Sequence, residues 1–461
     1  MKSYDRLAIT KLDDFLFGRS PNPLTLENGM VIGGGLVYPE LNFTLPGMEI
    51  NAESLVDVNA QYAEMIAGAC TRAVELNAPG LVVEFELLPE LTTQPEWGAE
   101  VVKILREKLD ETAAKHALKV ALRVTPNDIR EFERPPIMRR GSFVDAMFRS
   151  FELSAQAGAD FLSVESTGGK EIHDEALLNG DLPAAVFALG VLGANDMAYL
   201  WDRIVAISAQ YGSLPAGDSA CGFGNTAMVL AEQHFIPRVW AAVVRVMTVP
   251  RSLVAFERGA VGPNKDCAYE GVYLKAITGC PISLEGAEAA VAHLSPIGNI
   301  AKAVPDLWSN ESVNNVKLLG GMAPTVSLEQ IVYATRLMNT ASSHGEQAAR
   351  TLRDWCVESD AGFDPQAYVL RPDVALELAG EIIRETTPYL RTRRAAQATL
   401  AKLRSAAAEG AFPLSKPELR WLDRLSRAAD GLPADESELT AQILAVVDRG
   451  KVHVEEYGVA L

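Results

Sequence analysis

The chain has 461 residues, which is long for one minimal domain but suits a large barrel with additions. Acidic residues outnumber basic ones by 60 to 42, giving a net charge of −18, and no long basic run occurs, so nucleic acid is not an expected partner. Hydrophobic residues make up 48%, a share typical of a globular protein with a sizeable core.

The N-terminal segment, MKSYDRLAITKLDDFLFG, has no apolar core of the signal-peptide type and carries three aspartates. The most apolar region, residues 239–256, is interrupted by two arginines and a proline, so it is not interpreted as a membrane span. We therefore expect a cytoplasmic protein that is not inserted in a membrane.

The central part of the chain alternates between strand-like and helix-like segments. Short β-branched or apolar runs predict strands at 80–86, 118–125, 160–165, 184–190 and 213–217. Helical spacing of apolar residues predicts helices at 51–77 and 142–157. Repeated β-then-α units are typical of a parallel α/β fold, either a closed (β/α)₈ barrel or an open doubly wound sheet. No GxGxxG follows an early strand, which argues against a dinucleotide-binding version.

The C-terminal part of the chain differs and predicts four helices, at 373–386, 390–409, 416–430 and 437–448. Ser415 to Glu418 has the sequence of a helix capping box with proline in the first turn. We expect two regions: a catalytic barrel with an N-terminal extension over 1–370, and a helical layer packed on it over 371–461.

Polar and Gly-rich segments follow three predicted strands or loops, at 163–170, 216–225 and 262–267. In a parallel barrel the active site lies at the carboxyl ends of the strands. These segments contain Glu165, Cys221 and Cys267, one carboxylate and two thiols, which make a plausible zinc set with an open fourth position. The two cysteines are too far apart to form a CxxC pair, so spacing does not distinguish ligands from ordinary buried cysteines.

Other candidate residues give weaker signals. The five cysteines are sparse and odd in number, which argues against a disulfide framework. Glu84 and Glu86 lie two apart on a predicted strand and share a face, so they could line the barrel as a polar layer or supply a general base. The six histidines form neither HxH nor HExxH, and His173 is expected in a solvated loop.

The same segments resemble the methanol:corrinoid methyltransferases, the substrate-activating subunits of methanogens and methylotrophic acetogens. The likeness covers most of the chain and includes 38–42 (YPELN), 97–101 (WGAEV), 162–166 (LSVES), 168–171 (GGKE), 225–228 (NTAM), 250–255 (PRSLVA), 259–267 (GAVGPNKDC) and 308–312 (WSNES). The resemblance implies a (β/α)₈ TIM barrel with additional helical segments, including a C-terminal helical layer.

The resemblance also implies a zinc-dependent enzyme, with Glu165, Cys221 and Cys267 as the metal ligands. In that chemistry zinc is a Lewis acid toward methanol, and the methyl group passes to cobalt(I) of a separate corrinoid protein. Two thiolates and a carboxylate donate strongly, which should blunt the acidity of the metal, so hydrogen bonds to the sulfurs are expected, with the backbone of Gly222 and Gly224 as candidate donors.

The resemblance implies a corrinoid protein as the partner, and the chain itself lacks the DxHxxG loop with which such proteins supply a histidine to cobalt. A homodimer within a heteromeric complex is expected. The partner should dock at the carboxyl-terminal mouth of the barrel, and charge changes at Lys170 and Lys265 should then weaken activity with the partner more than zinc content.

Two alternatives remain open from the sequence. A related methyltransferase would use a methoxylated aromatic compound or a methylamine as the methyl donor, with the same metal site and a wider pocket. A barrel that serves as a scaffold subunit would bind no metal. The final methyl acceptor downstream of the corrinoid protein is not visible in the sequence.

Overall fold

The computed structural model describes residues 2–45, 48–265, 267–313, 317–318 and 321–459. The strands are β1 (Arg19–Thr25), β2 (Val31–Gly34), β3 (Tyr38–Leu45), β4 (Leu81–Glu86), β5 (Val120–Thr125), β6 (Phe161–Val164), β7 (Leu214–Asp218), β8 (Ser283–Glu285), β9 (Leu307–Val313), β10 (Lys317–Leu318) and β11 (Gly321–Met322). The helices are α1 (Leu55–Glu75), α2 (Pro89–Thr93), α3 (Pro95–His116), α4 (Ser142–Gln156), α5 (Lys170–Asn179), α6 (Leu182–Phe187), α7 (Ala194–Tyr211), α8 (Cys221–Glu232), α9 (Arg238–Met247), α10 (Val249–Arg258), α11 (Gly271–Thr278), α12 (Ala287–Ala292), α13 (Ala323–Ser343), α14 (Glu346–Ala361), α15 (Pro365–Tyr368), α16 (Pro372–Ile382), α17 (Pro388–Ala408), α18 (Lys416–Asp430) and α19 (Glu436–Leu444).

Seven parallel strands form one curled sheet in the order β7-β6-β5-β4-β3-β9-β8. The gap between its two ends is bridged by residues 261–264. On one side, the amides of Val261 and Gly262 donate to carbonyl oxygens of β7 at 2.8 and 2.9 Å. On the other side, Asn264 forms a parallel bridge with Ile282, directly before β8. This segment therefore takes the eighth strand position, and the expected TIM barrel is confirmed over the open doubly wound sheet.

Side chains that point into the barrel become more polar toward the carboxyl ends of the strands. Along β6 and its extension the inward positions carry Phe161, Ser163 and Glu165 in turn, since a strand repeats every two residues. The middle layer centres on Arg123, which donates to Glu40 at 2.7 Å and to the hydroxyl of Ser163 at 2.8 Å. Both charges of the Arg123–Glu40 pair are fully buried and tolerable because each has a partner.

The amino-terminal end of the barrel is closed by an apolar layer. The β1–β2 hairpin supplies three of its side chains, Leu26, Met30 and Ile32. The barrel strands supply the other six: Tyr38, Val82, Ala121, Phe161, Ala216 and Leu307. Because this end is plugged, access to the barrel interior is from the carboxyl ends of the strands.

The predicted segments correspond to observed elements with one error. The strands predicted at 80–86, 118–125, 160–165 and 213–217 and the helices predicted at 51–77 and 142–157 are present within a few residues. The strand predicted at 184–190 is wrong, because α6 occupies its first half and a π-helical turn, Ala188–Gly193, follows. The run is buried on all sides, so its apolar pattern does not separate strand from helix, but Asp181 caps the helix at the amide of Ala184.

The four predicted C-terminal helices are present as α16 to α19. The side chain of Ser415 accepts a hydrogen bond from the Glu418 amide, as the capping-box sequence predicted. Helix α17 packs against α9, α10 and the π-helical turn, which places this layer on the outside of the barrel. A division of the chain at residue 370 stays a prediction.

Two helical stretches, Leu182–Tyr211 and Arg238–Arg258, are long and apolar enough to cross a membrane by composition alone. Both are largely buried among other parts of the protein, as core helices are.

Candidate metal centre

Glu165, Cys221 and Cys267 meet at the carboxyl ends of three neighbouring strand positions. Glu165 directly follows β6, Cys221 opens α8 after β7, and Cys267 follows the bridging segment 261–264. One donor atom from each residue lies within 4.8 Å of the other two, and Cys267 Sγ is 3.5 Å from Glu165 Oε1. Within the described part of the chain, this is the group of three His, Cys, Asp or Glu side chains that could hold a metal.

The donor set fits zinc in its geometry. A zinc ion about 2.3 Å from a thiolate sulfur and about 2.0 Å from a carboxylate oxygen would, at a tetrahedral angle, separate the two donor atoms by about 3.5 Å. That is the distance between Cys267 Sγ and Glu165 Oε1. Three protein ligands would leave the fourth position open for a substrate, as in catalytic zinc sites.

The thiols also require a cation before they can act as ligands. A hydrogen bond with Cys267 lowers the pKa of Cys221, but burial and the nearby Glu165 carboxylate raise it to about 12. Burial and then Cys221 raise the pKa of Cys267 well above its usual range. Two buried thiols beside a carboxylate therefore stay protonated unless a positive ion lies between them.

Cys221 is held at the first turn of α8 by side chains on both sides of it. The amide of Ala220, its neighbour, donates to Glu270 Oε1 at 2.6 Å, which ties the start of the helix to the barrel core. One helical turn later, Asn225 Nδ2 donates to Cys221 Sγ at 3.3 Å. This hydrogen bond fixes the sulfur and draws charge from it.

Cys267 is positioned by Ser219. The Cys267 amide donates to Ser219 Oγ at 3.2 Å, and the same hydroxyl lies 3.3 Å from Cys267 Sγ. Because Ser219 Oγ accepts the amide, its own hydrogen is free to point at the sulfur. The expected sulfur donor Gly224 was wrong, since its amide donates to Ala220 O at 2.8 Å. Asn225 and Ser219 supply these hydrogen bonds instead, and both lie within five residues of Cys221, a neighbourhood that the sequence had singled out.

The Glu165 carboxylate forms an ion pair with the buried Lys265. Lys265 Nζ lies 3.2 Å from Glu165 Oε1, 3.0 Å from Glu84 Oε1 and 3.2 Å from Glu86 Oε2. Burial lowers the pKa of Lys265, but the three carboxylates raise it well above its usual range, so the ammonium stays charged. Glu84 and Glu86 thus form a polar layer around Lys265, one of the two roles that their spacing left open.

The two lysines whose charges were expected to affect activity with a partner protein differ in exposure. Lys265 is 4% exposed, so it does not lie on a docking surface, and the expected effect of its charge on that activity stays a prediction. Lys170 lies at the start of α5 and pairs with Asp174 at 2.6 Å on a partly exposed surface, so its role toward a partner stays a prediction. Asp266, between Lys265 and Cys267, lies outside the described residues.

Ser166, the residue after Glu165, is held in place by hydrogen bonds to buried charged side chains. Ser166 donates its amide and its hydroxyl to Asp218, and Arg251 donates to Ser166 O at 2.7 Å. Burial raises the pKa of Asp218 to about 6, while the nearby Arg251 opposes the shift. This network holds the backbone that carries Glu165 against the end of β7.

The surroundings of the metal position are rich in acids. Burial raises the pKa of Glu86 to about 7, against the opposing charge of Lys265. Burial and the neighbouring Glu311 raise the pKa of Glu285 well above its usual range. Burial raises the pKa of Glu84, but Lys265 and Arg123 bring it below its usual value. The interior therefore holds one firmly ionised carboxylate beside others that readily keep a proton.

The loop from Glu165 to α5 passes too close to its neighbours for side chains at two positions. A Cβ on Gly168 would lie about 2.3 to 2.5 Å from Asp196, and one on Gly169, whose φ is +88°, would lie 2.6 Å from a carbonyl oxygen. His173, one turn into α5, is buried with its ring 5.0 Å from that of Phe223, so its expected place in a solvated loop was wrong.

The C-terminus of the chain closes over this loop through Tyr457. Its hydroxyl accepts from the Gly169 amide at 3.1 Å and donates to Glu171 Oε1 at 2.7 Å, and the ring is fully buried. The chain end, far from Glu165 in sequence, is therefore part of what holds the Glu165 loop in place.

Tyr457→Phe should destabilise the protein by about 1–3 kcal/mol, because it leaves the buried Gly169 amide and the partly buried Glu171 carboxyl without their shared partner. The free energy of unfolding from urea titration measures this. Tyr333→Phe is the matched control, since its hydroxyl bonds to Glu329 on the surface and its loss should cost less than about 0.5 kcal/mol. Equal losses in the two variants would contradict the role given to Tyr457.

The other cysteines take no part in the cluster. Cys70 is buried on α1, Cys280 is buried after α11, and Cys356 lies on α14. Cys70 and Cys280 therefore serve as small core residues, whereas Cys356 is partly exposed.

Comparisons with known proteins give a single consistent result. The family model of the methanol-cobalamin methyltransferase B subunit (MtaB) matches residues 1–458. The methanol–corrinoid protein co-methyltransferase of Methanosarcina barkeri (strain Fusaro / DSM 804) is 35% identical over 439 residues, which is 94% of each chain. A chain in the crystal structure of the methanol:cobalamin methyltransferase complex MtaBC from Methanosarcina barkeri matches with a TM-score of 0.95 and 34% identity, covering both chains completely.

Proposed function

Because the chain belongs to the methanol-cobalamin methyltransferase B subunit family, and is a methanol–corrinoid protein methyltransferase, we propose that it activates methanol with one zinc ion held by Glu165, Cys221 and Cys267. The observation that carries the zinc proposal is the convergence of their donor atoms within 4.8 Å at the open end of the barrel. The two sulfur donors beside one carboxylate support zinc as the metal, because soft thiolate ligands suit zinc better than magnesium or calcium.

When bound, zinc supplies a Lewis acid that makes hydroxide an acceptable leaving group from methanol. In the overall reaction the C–O bond of methanol breaks, its electron pair stays on oxygen, a C–Co bond forms with the pair from cobalt(I), and one proton completes water. Asn225 donates a hydrogen bond to Cys221 Sγ, and the Ser219 hydroxyl would donate to Cys267 Sγ in its thiolate form; both would reduce the electron donation of the sulfurs. The plugged lower barrel confines the reaction to one open end.

The barrel supplies no corrinoid of its own in this proposal. The solved relative is a complex of two proteins, and we propose that this chain likewise presents its barrel mouth to a corrinoid protein. A homodimer of the barrel subunit within that complex and a cytoplasmic location are proposals of the same kind. Sedimentation of the chain alone and with the corrinoid protein tests the assembly.

The experiment that tests the function is paired metal analysis and methyl transfer. The purified chain should contain about one zinc per chain and should transfer the methyl group of methanol to cob(I)alamin, and chelation of the metal should stop the transfer. A metal-free chain with full activity would contradict the zinc proposal. A chain with neither metal nor activity would favour the scaffold alternative.

Methanol should be preferred over larger donors by at least about 100-fold in kcat/KM. Lys265 and Glu84 are 4% and 3% exposed and fill the space beside the ligands with buried polar groups. A methoxylated aromatic ring would need apolar walls at that place. Initial rates with methanol, a methoxybenzoate and a methylamine, under one set of conditions with cob(I)alamin, measure the preference. Faster turnover of the methoxybenzoate would identify a methyltransferase for a different donor.

A further inference from the structure

Lys265 lies inside the barrel mouth rather than on its surface. It follows the bridging segment 261–264, whose backbone is fixed between β7 and β8. Arg123 also donates to the carbonyl oxygen of Pro263 at 2.6 Å, which anchors the segment to the charged layer below. The position of the lysine is therefore set by the barrel itself and not by a mobile loop.

The ammonium group of Lys265 has three N–H bonds and three carboxylate neighbours. It lies 3.0 Å from Glu84 and 3.2 Å from both Glu86 and Glu165. Glu84 is held in turn by the hydroxyl of Thr125 at 2.7 Å, and Glu86 by the amide of Asn42 at 3.1 Å. Glu84 and Glu86 therefore fix the position of the ammonium group, and the third carboxylate, Glu165, is the proposed metal ligand.

Lys265 and the metal position share one oxygen atom of Glu165. The Oε1 atom that lies 3.5 Å from Cys267 Sγ, the separation expected across a zinc ion, is also the atom 3.2 Å from Lys265 Nζ. A lysine ammonium group that donates a hydrogen bond to a ligand oxygen draws electron density from that oxygen and fixes the orientation of its carboxylate. The side chain of Glu165 is 27% exposed, so it has more freedom to turn than its buried neighbour Cys267.

We propose that Lys265 is a positioning residue, which fixes the orientation of the Glu165 carboxylate and offsets the negative charge of the ligand set, so that a bound metal would keep an open and acidic fourth position for methanol. The proposal rests on the proposed zinc function. It accounts for how two thiolates and a carboxylate, a strongly donating set, can serve a Lewis acid: a fixed cation lies directly against the carboxylate.

The test compares Lys265→Met with Lys265→Arg, each loaded to saturation with zinc and, separately, with cobalt(II). Methyl transfer from methanol to free cob(I)alamin should fall about 10- to 100-fold in the methionine variant, and the arginine variant should recover part of the loss because it keeps the charge. The visible absorption of the cobalt(II) forms should differ between the methionine variant and the wild type, because a carboxylate free to bind through both oxygens changes the coordination number. Lys108→Met, a surface lysine on α3, controls for net charge.

A buried carboxylate group without its cation can prevent folding. Lys265→Met combined with Glu84→Gln removes both partners of the shortest ion pair, and it should show the same loss of rate and the same spectral change. Wild-type rate and spectrum in the metal-saturated single or double variant would overturn the proposal, as would failure of the folded variants to take up metal, or equal rates for methionine and arginine. If the wild-type chain itself neither binds metal nor transfers methyl groups, the proposed function fails instead.

Discussion

Replacing Cys221 or Cys267 by alanine should reduce the bound zinc from about one ion per chain to near zero. Each variant leaves two protein donors where three converge within 4.8 Å, and neither remaining pair closes a tetrahedral site. Methyl transfer from methanol should fall to the level of the metal-free chain. Elemental analysis after dialysis, alongside the methyl-transfer rate, measures both effects.

The matched controls are Cys70→Ala and Cys356→Ala. Cys70 is buried on α1 and Cys356 lies on α14, and neither belongs to the ligand cluster. Both should retain zinc and activity, with Cys70→Ala showing at most a modest loss of stability from one small core side chain. Full zinc content in the Cys221 and Cys267 variants would remove the assignment, whereas loss of zinc in all four variants would point to unfolding.

The fold was largely predictable where strands and helices have their usual sequence patterns. The β4 and β5 runs are short, apolar and bounded by turn residues, and α1 has a clear apolar face, so these elements followed from the sequence. The closing segment 261–264 has no such pattern. It is four residues long and joins the barrel through backbone hydrogen bonds, which any residue with an amide can make.

The proposed metal ligands could be named from the sequence through resemblance, and spacing alone could not have named them. Glu165, Cys221 and Cys267 follow different strand positions, and only the curvature of the barrel brings them together. Ordinary ligand motifs depend on spacing within one helix or hairpin, so they give no signal for such a site. The hydrogen bond from Asn225 to Cys221 could have been expected from the sequence, because residues four apart on a helix lie next to each other.

The burial of Lys265 could not be predicted from the sequence. A lysine beside a candidate ligand suggests a surface contact with a partner, because lysines are mostly exposed. The inward repeat of β4 places Glu84 and Glu86 on the barrel interior, and these two acids make a buried lysine stable at that point. The pairing crosses from one side of the barrel to the other, so it depends on the closed fold.

The chain should transfer methyl groups only when a corrinoid in the cobalt(I) state is supplied as the methyl acceptor. Cobalt(I) provides the electron pair that forms the new C–Co bond, and cobalt(II) lacks that pair, so methanol with cobalt(II) and no reductant should give no methyl-cobalt product. The reacting atoms must approach to about 3–3.5 Å, which requires the corrinoid face to cover the open end of the barrel above Glu165 and Cys267.

The purified chain should be free of corrinoid absorption, and activity should appear on addition of a reduced corrinoid protein, or of free cob(I)alamin at high concentration. Absorption spectra of the purified chain and of the reaction with each cobalt state make the measurement. A stoichiometric corrinoid in the purified chain, or equal rates with cobalt(II), would show that the acceptor is not a separate reduced corrinoid.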